Sequence, residues 1–200
     1  MPSPIEIIRK LGSSVVSDYQ QLREYTDKYH AKGRPPPRLS VALVQSIGLQ
    51  MMAAVRVMQA LDAAHVPLLP KAVSRFIRHA YGAEIHWKAD VSPGVTLVHG
   101  CGIVISHAAT IGSGALLFQN VTLGESVDSE TRKVGAPTLG VNVHIGPGAT
   151  LLGPIVVGDR TKVMAGAVLT HSVPPDSVVR PAESTVSSRS ALRGLPTDQT

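Results

Sequence analysis

"LGVNVHIGPGATLLGPIVVGDRTKVMAGAVL", residues 139–169, returns a large aliphatic side chain every six positions: Leu139, Ile145, Leu151, Val157, Val163 and Leu169. If about a quarter of residues are Leu, Ile or Val, six successive hits arise by chance about once in several thousand tries. The fourth residue after each is small or β-branched: Val143, Ala149, Ile155, Thr161, Ala167 and Val173. Hexapeptide repeats of this kind specify a parallel β-helix, in which each repeat supplies one short strand and one corner. Three repeats close a triangular coil, with the aliphatic residue and the small one turned inward. Glycine at the corners, as in "IGPGAT", permits the backbone angles that tight turns need.

The period extends toward the N-terminus in two further registers, Ile105, Ile111, Leu117 and Leu123, and before them Ile85, Val91 and Leu97. The repeat therefore runs from Ile85 to about residue 174. It is interrupted twice. Residues 126–137, "SVDSETRKVGAP", are polar and carry no inward aliphatic pattern, so they are expected as a loop extruded from one corner. The second interruption lies in "LVHGCGIVIS", residues 97–106, where the interval between Leu97 and Ile105 is eight instead of six. Two extra residues must bulge outward, because the inner register resumes at Ile105. His99, two places after Leu97, then faces out of the coil. Cys101, four places after Leu97, is expected to fill the inward small slot.

The first 80 or so residues carry helical spacing instead. Val44, Ile47, Met51, Val55, Met58 and Leu61 recur at intervals of three and four, the signature of one helix with a single packing face. An earlier helix is expected over "VSDYQQLREYTDKYH", starting near Ser17 or Asp18 and stopped by "GRPPPR". A third covers "PKAVSRFIRHAYG", with Pro70 near its start and Gly82 at its end. The fold class is thus α+β: a helical N-terminal domain (1–82), a β-helix domain (83–180, with the loop 126–137) and a C-terminal tail (181–200) without period, mobile or draped on the coil.

Composition narrows the function classes. Aromatic residues are 4% of the chain and hydrophobic residues 44%, so the core is aliphatic. The net charge of +5 favours an anionic partner. The basic residues are scattered and do not alternate with aromatics, which argues against nucleic acid. The most apolar run, "VALVQSIGLQMMAAV", is too short and too polar for a membrane span. A single cysteine, Cys101, forms no intrachain disulfide. The N-terminus lacks the apolar core of a signal peptide, and a cytoplasmic setting is expected.

"LVHGCGIVIS" resembles the stretch around the catalytic histidine of serine acetyltransferases, a family of hexapeptide-repeat acyltransferases. The likeness continues through "AEIHWKADV" before it, "FQNVTLGE" after it, and "GATLLGPIVVGDRTKVMAGAVLTHSVPP" near the end. The resemblance implies a left-handed β-helix and CoA-dependent O-acetyl transfer from acetyl-CoA to the hydroxyl of a small molecule; the basic net charge agrees with that phosphate-bearing donor, or with an acidic acyl carrier protein as the alternative. It implies that His99 is the general base and that Glu84, in the place of the family's Asp, orients the imidazole. It implies donor contacts at Gly124, Pro147, Lys162 and Ala165, and a homotrimer or a hexamer built of two trimers with the site between chains. Pro147 and Met164 depart from the family's small residues in that groove.

The family grips serine through an Asp directly before the histidine, an Arg-His pair before a later Pro, and an Asp-Pro pair in the helical domain. Here Val98 precedes His99, Gly135-Ala136 precede Pro137, and the first 80 residues hold no Asp-Pro. An acceptor other than serine in its usual pose is therefore expected. Two other readings stay open: an authentic serine acetyltransferase with a rebuilt pocket, and an inactive β-helix scaffold. No metal is expected, since His99, His107 and His144 do not reproduce the spacing of a three-histidine zinc site.

Overall fold

The computed structural model describes residues 2–29, 37–127 and 131–183. Four helices, α1 (Pro4–Tyr29), α2 (Leu39–Gln45), α3 (Ile47–Ala63) and α4 (Leu69–Tyr81), precede a parallel β-helix of five coils. The tail from residue 184 onward and most of "GRPPPR" lie outside the described residues.

The helical layer departs from the sequence reading in two places. The first helix begins at Pro4 and not near Ser17. "SPIE" forms a reciprocal cap there: the Glu6 N–H donates to Ser3 Oγ at 3.2 Å, and the Ser3 N–H donates to Glu6 Oε2 at 2.6 Å. Asp18 consequently sits inside the helix, buried, and its carboxylate takes a two-pronged contact from Arg56 of α3. The second departure is a break at Ser46, whose side chain accepts from the Leu49 N–H and caps α3. The chain turns by 104° there, so the expected single helix is two. Met51, Val55 and Met58 are buried as the spacing predicts, whereas Val44 and Ile47 face solvent. The third helix ends as expected, with Gly82 in the left-handed conformation (φ 62°). Among the described residues no single helix is long and apolar enough to cross a membrane.

The first coil holds β1 (Glu84–Ile85), β2 (Asp90–Val91) and β3 (Thr96–Val98). The second holds β4 (Val104–Ile105), β5 (Thr110–Ile111) and β6 (Leu116–Phe118). The third opens with β7 (Thr122–Gly124) and then sends out an antiparallel hairpin, β8 (Ser126–Val127) and β9 (Val134–Gly135). It resumes with β10 (Thr138–Leu139) and β11 (His144–Ile145). The fourth holds β12 (Thr150–Leu152), β13 (Val156–Val157) and β14 (Lys162–Val163), and the fifth β15 (Val168–Leu169) and β16 (Val178–Val179). Strands of successive coils pair in parallel and make three faces: β1-β4-β7-β12-β15, β2-β5-β10-β13 and β3-β6-β11-β14-β16.

Inside, the aliphatic columns are closed to water; Ile111, Leu117, Leu123, Ile145, Leu151 and Val157 are fully buried. At about 1.5–3 kcal/mol for each buried Val, Leu or Ile, these columns outweigh any other single contribution to the coil. One inward assignment is corrected. Ile103 fills the small slot of the first coil, and Cys101 is exposed. Both extra residues are taken up before the slot, because Gly102 is tied to the turn below by its N–H to the Gly82 carbonyl (2.9 Å).

Candidate active site

The corner joining the third face to the first is where the chain is lengthened. In the first coil it runs from His99 to Gly102. His99 is exposed and adopts φ 58°, a left-handed conformation uncommon for a residue with a side chain. The corner is held on three sides. Gly102 is bonded to Gly82 below, and the Asn120 N–H donates to the Cys101 carbonyl above at 3.0 Å. From behind, Met51 of α3 closes on Gly100, where an added Cβ would lie 2.5 Å from the Met51 sulfur. The same helix approaches so closely that a Cβ at Gly48 would collide with the Leu97 carbonyl. The His99 ring itself makes no hydrogen bond or ion pair with the described residues. A fixed backbone thus presents a free imidazole to solvent.

Glu84 opens β1 on the other side of that corner, directly below Val104. Its carboxylate lies 3.4 Å from Arg78 Nη2 of α4, and both side chains are about half exposed or more. Within the chain the two expected partners, His99 and Glu84, flank one corner without bonding to each other.

The four expected donor contacts separate into two groups. Pro147 and Ala165 lie on the same corner column as His99, tied coil to coil by Gly148 N–H to the Gln119 carbonyl and Gly166 N–H to the Pro147 carbonyl. They stand two and three coils above it, about 10–14 Å at 4.7–4.9 Å per coil. This column has open space: no heavy atom lies within 4 Å of where a Cβ would stand at Gly148 or Gly166. Lys162 is exposed on the adjoining third face, while Gly124 ends β7 at the next corner, where the hairpin departs.

His107 and His144 are engaged elsewhere. His107 faces outward as expected and pairs with Glu125 at 2.7 Å, and Ser106 Oγ donates to the same carboxylate oxygen at 2.6 Å. His144 stacks on Phe118 with ring centres 5.1 Å apart. Burial, then the nearby Lys162 and Lys28, hold its imidazole below its ordinary pKa. Among the described residues no three His, Cys, Asp or Glu side chains gather around a common point.

This architecture has known counterparts. No family model matches the chain. It is 35% identical over 151 residues to the serine acetyltransferase of Synechococcus elongatus, covering 76% of this chain and 61% of that protein. It is 34% identical over 130 residues to the serine acetyltransferase of Helicobacter pylori, covering 65% of this chain and 75% of that one. The chain belongs to the serine acetyltransferase family. A crystal structure of the Neisseria gonorrhoeae serine acetyltransferase in complex with serine superimposes with a TM-score of 0.73. It is 25% identical and covers 85% of this chain and 66% of that one. The chain spans about three-fifths of the Synechococcus serine acetyltransferase and 48% of the one from Mycobacterium tuberculosis.

Among the places that differ from the serine acetyltransferase pattern, Val98 and Ala136 are apolar and closed, whereas Gly135 is half-buried and Met164 is exposed. Val98 and Ala136 are each 6% exposed, so neither position offers a polar group to a ligand. What the sequence reading passed over lies on α4. Lys71, Arg75 and Arg78 recur at spacings of four and three, which puts them on one helical stripe. That stripe faces Glu84, His86 and Trp87 across a cleft.

Proposed function

We propose that this chain is a CoA-dependent O-acetyltransferase with His99 as its general base. The observation that carries the reading is the exposed, unbonded His99 ring on the one corner lengthened by two residues. Bound acetyl-CoA supplies an activated acetyl thioester. His99 accepts the proton of the acceptor's hydroxyl as that oxygen forms its bond to the acetyl carbon, and returns the proton to the sulfur as the thioester bond breaks. A base so placed contributes about 10²–10⁴-fold in rate. Glu84 orients the imidazole by holding its other ring nitrogen. Its contact with Arg78 is exposed, and such pairs are worth only about 0–1 kcal/mol, so little opposes the turn toward His99. Pro147, Ala165, Gly124 and Lys162 hold the donor, and an acyl carrier protein is the alternative source of the acyl group. One coil supplies a base but no wall opposite it, so the site is completed by a neighbouring copy in a homotrimer or hexamer. The setting is cytoplasmic.

The acceptor is a small alcohol other than serine held in the usual way. Buried Val98 stands where the family's Asp would meet the ammonium, and Gly135 where its Arg would meet the carboxylate; stranding one charged group of a ligand costs about 2–5 kcal/mol. An authentic serine acetyltransferase is the second reading, favoured by the serine complex of the Neisseria relative; Arg132 or Lys133 of the hairpin would then rebuild the clamp. One experiment separates these. Thiol release from acetyl-CoA is measured with a panel of small alcohols that includes L-serine. Turnover with an acceptor other than serine, falling about 10²-fold or more in His99→Ala with an unchanged circular-dichroism spectrum, is the expected result. Saturation by submillimolar L-serine favours the second reading, and no release with any acceptor leaves a β-helix scaffold.

A further inference from the structure

We propose that the cleft between α4 and the first coil binds an oxyanion, a carboxylate or a phosphate, carried by the acceptor itself. The proposal rests on the acetyltransferase reading above and names the class of substrate it takes. The cleft has a volume of about 390 Å³. Its helix wall carries Lys71, Arg75 and Arg78, and its coil wall carries Glu84, His86 and Trp87. Three cations against one carboxylate leave an excess of two positive charges, from the same six residues. Like charges one helical turn apart, as Lys71 and Arg75 are, destabilise the helix that carries them, and a bound anion relieves that repulsion.

Two of the groups have contacts that aim them as donors. Lys71 Nζ stands 5.5 Å from the centre of the Trp87 ring, on which Lys88 also sits, so the ammonium is drawn over the cleft floor. His86 Nδ1 accepts the Lys88 N–H at 3.1 Å, which leaves the ring proton on Nε2, free to donate. The Ser74 hydroxyl is already spent on the Ile85 carbonyl at 2.6 Å. The donors left over match an oxyanion, and Glu84 is the only carboxylate in the lining, already engaged by Arg78. This favours an acid with a hydroxyl and no ammonium, such as a hydroxycarboxylate or a phosphorylated alcohol. Glu84 joins the cleft to the His99 corner. An oxyanion that engages Arg78 also competes for the guanidinium now on Glu84, and so frees Glu84 to orient His99.

Trp87 is the only tryptophan in the chain, so its fluorescence reads the cleft directly. The full chain is titrated with inorganic phosphate and, separately, with succinate, at constant ionic strength. A saturable change with either probe is expected, and the one that saturates first identifies which oxyanion the cleft prefers. Lys71 and Arg75 are exposed, so Lys71→Gln/Arg75→Gln is expected to fold normally and to weaken that binding about tenfold or more. No saturable change with either probe, or wild-type affinity in the double variant, overturns the proposal. Kinetics then assign the anion: the double variant should raise KM for the acidic acceptor about tenfold while KM for acetyl-CoA stays. A rise confined to acetyl-CoA places the donor's phosphates in the cleft and overturns it. Probe binding by a chain that releases no thiol with any acceptor refutes the acetyltransferase reading instead, and the acceptor assignment falls with it.

Discussion

Replacing Arg56 by Met should loosen the joint between the helical layer and the β-helix. Arg56 and Asp18 are each 1% exposed and meet through two hydrogen bonds, Nε to Oδ2 at 2.8 Å and Nη2 to Oδ1 at 2.9 Å. The carboxylate also accepts the N–H groups of Gly94 (2.8 Å) and Val95 (3.2 Å), and the guanidinium donates to the carbonyls of Val91 and Ser92. One pair therefore fastens α1 and α3 to the corner between β2 and β3. In Arg56→Met the Val91 carbonyl keeps Gln59 at 3.0 Å, but Ser92 loses its side-chain donor and Asp18 is left a buried anion with two neutral donors. Removing one partner of a buried pair costs about 3–5 kcal/mol, because the other charge stays stranded. At about 2–4 °C per kcal/mol for a chain of this size, the melting temperature should fall by roughly 6–20 °C. Urea titration of wild type, Arg56→Met and Asp18→Leu/Arg56→Met measures this. The double variant strands no charge and should lose no more than the single one. A loss below about 1 kcal/mol in Arg56→Met would refute the reasoning, since only a hydrated pair is worth so little.

Two further outcomes are expected. The folded chain resists protonation of His144, so the unfolded chain takes up that proton first. The stability this contributes is present above the ordinary histidine pKa of 6.5 and is lost as pH falls through the lower folded value. His144→Phe should therefore lose less of its urea midpoint than wild type between about pH 7 and pH 5, and equal losses would refute the assignment. Sedimentation equilibrium should give the mass of three or six 21.0 kDa chains, whereas a fully active monomer would exclude a shared site.

The β-helix was legible because its order is local and repeated. In a stacked coil the same six-residue count decides strand, corner and inward face at every level, so Leu139 to Leu169 specify their own burial. The lengthened corner at His99 was legible for the same reason, as a miscount in a regular series. Where within that corner the slack falls was not. Cys101 loses the inward slot to Ile103 because of the bond between Gly102 and Gly82, residues 20 apart in the chain. The break at Ser46 hid inside a continuous apolar spacing, since a one-residue cap leaves the period nearly intact. Asp18 read as a helix start, and its true role depends on Arg56 and Gly94, 38 and 76 residues away. The α4 cleft is of this second kind. Its cations lie on a visible stripe, but only the docking of that helix beside Glu84, His86 and Trp87 makes a charged face one wall of a cleft. The sequence by itself determined the coil, its interruptions and the outward histidine, because a period constrains every residue relative to its neighbours. The partners of Glu84, Asp18 and His86 were decided only in the tertiary structure, where side chains distant in sequence compete for the same few charges.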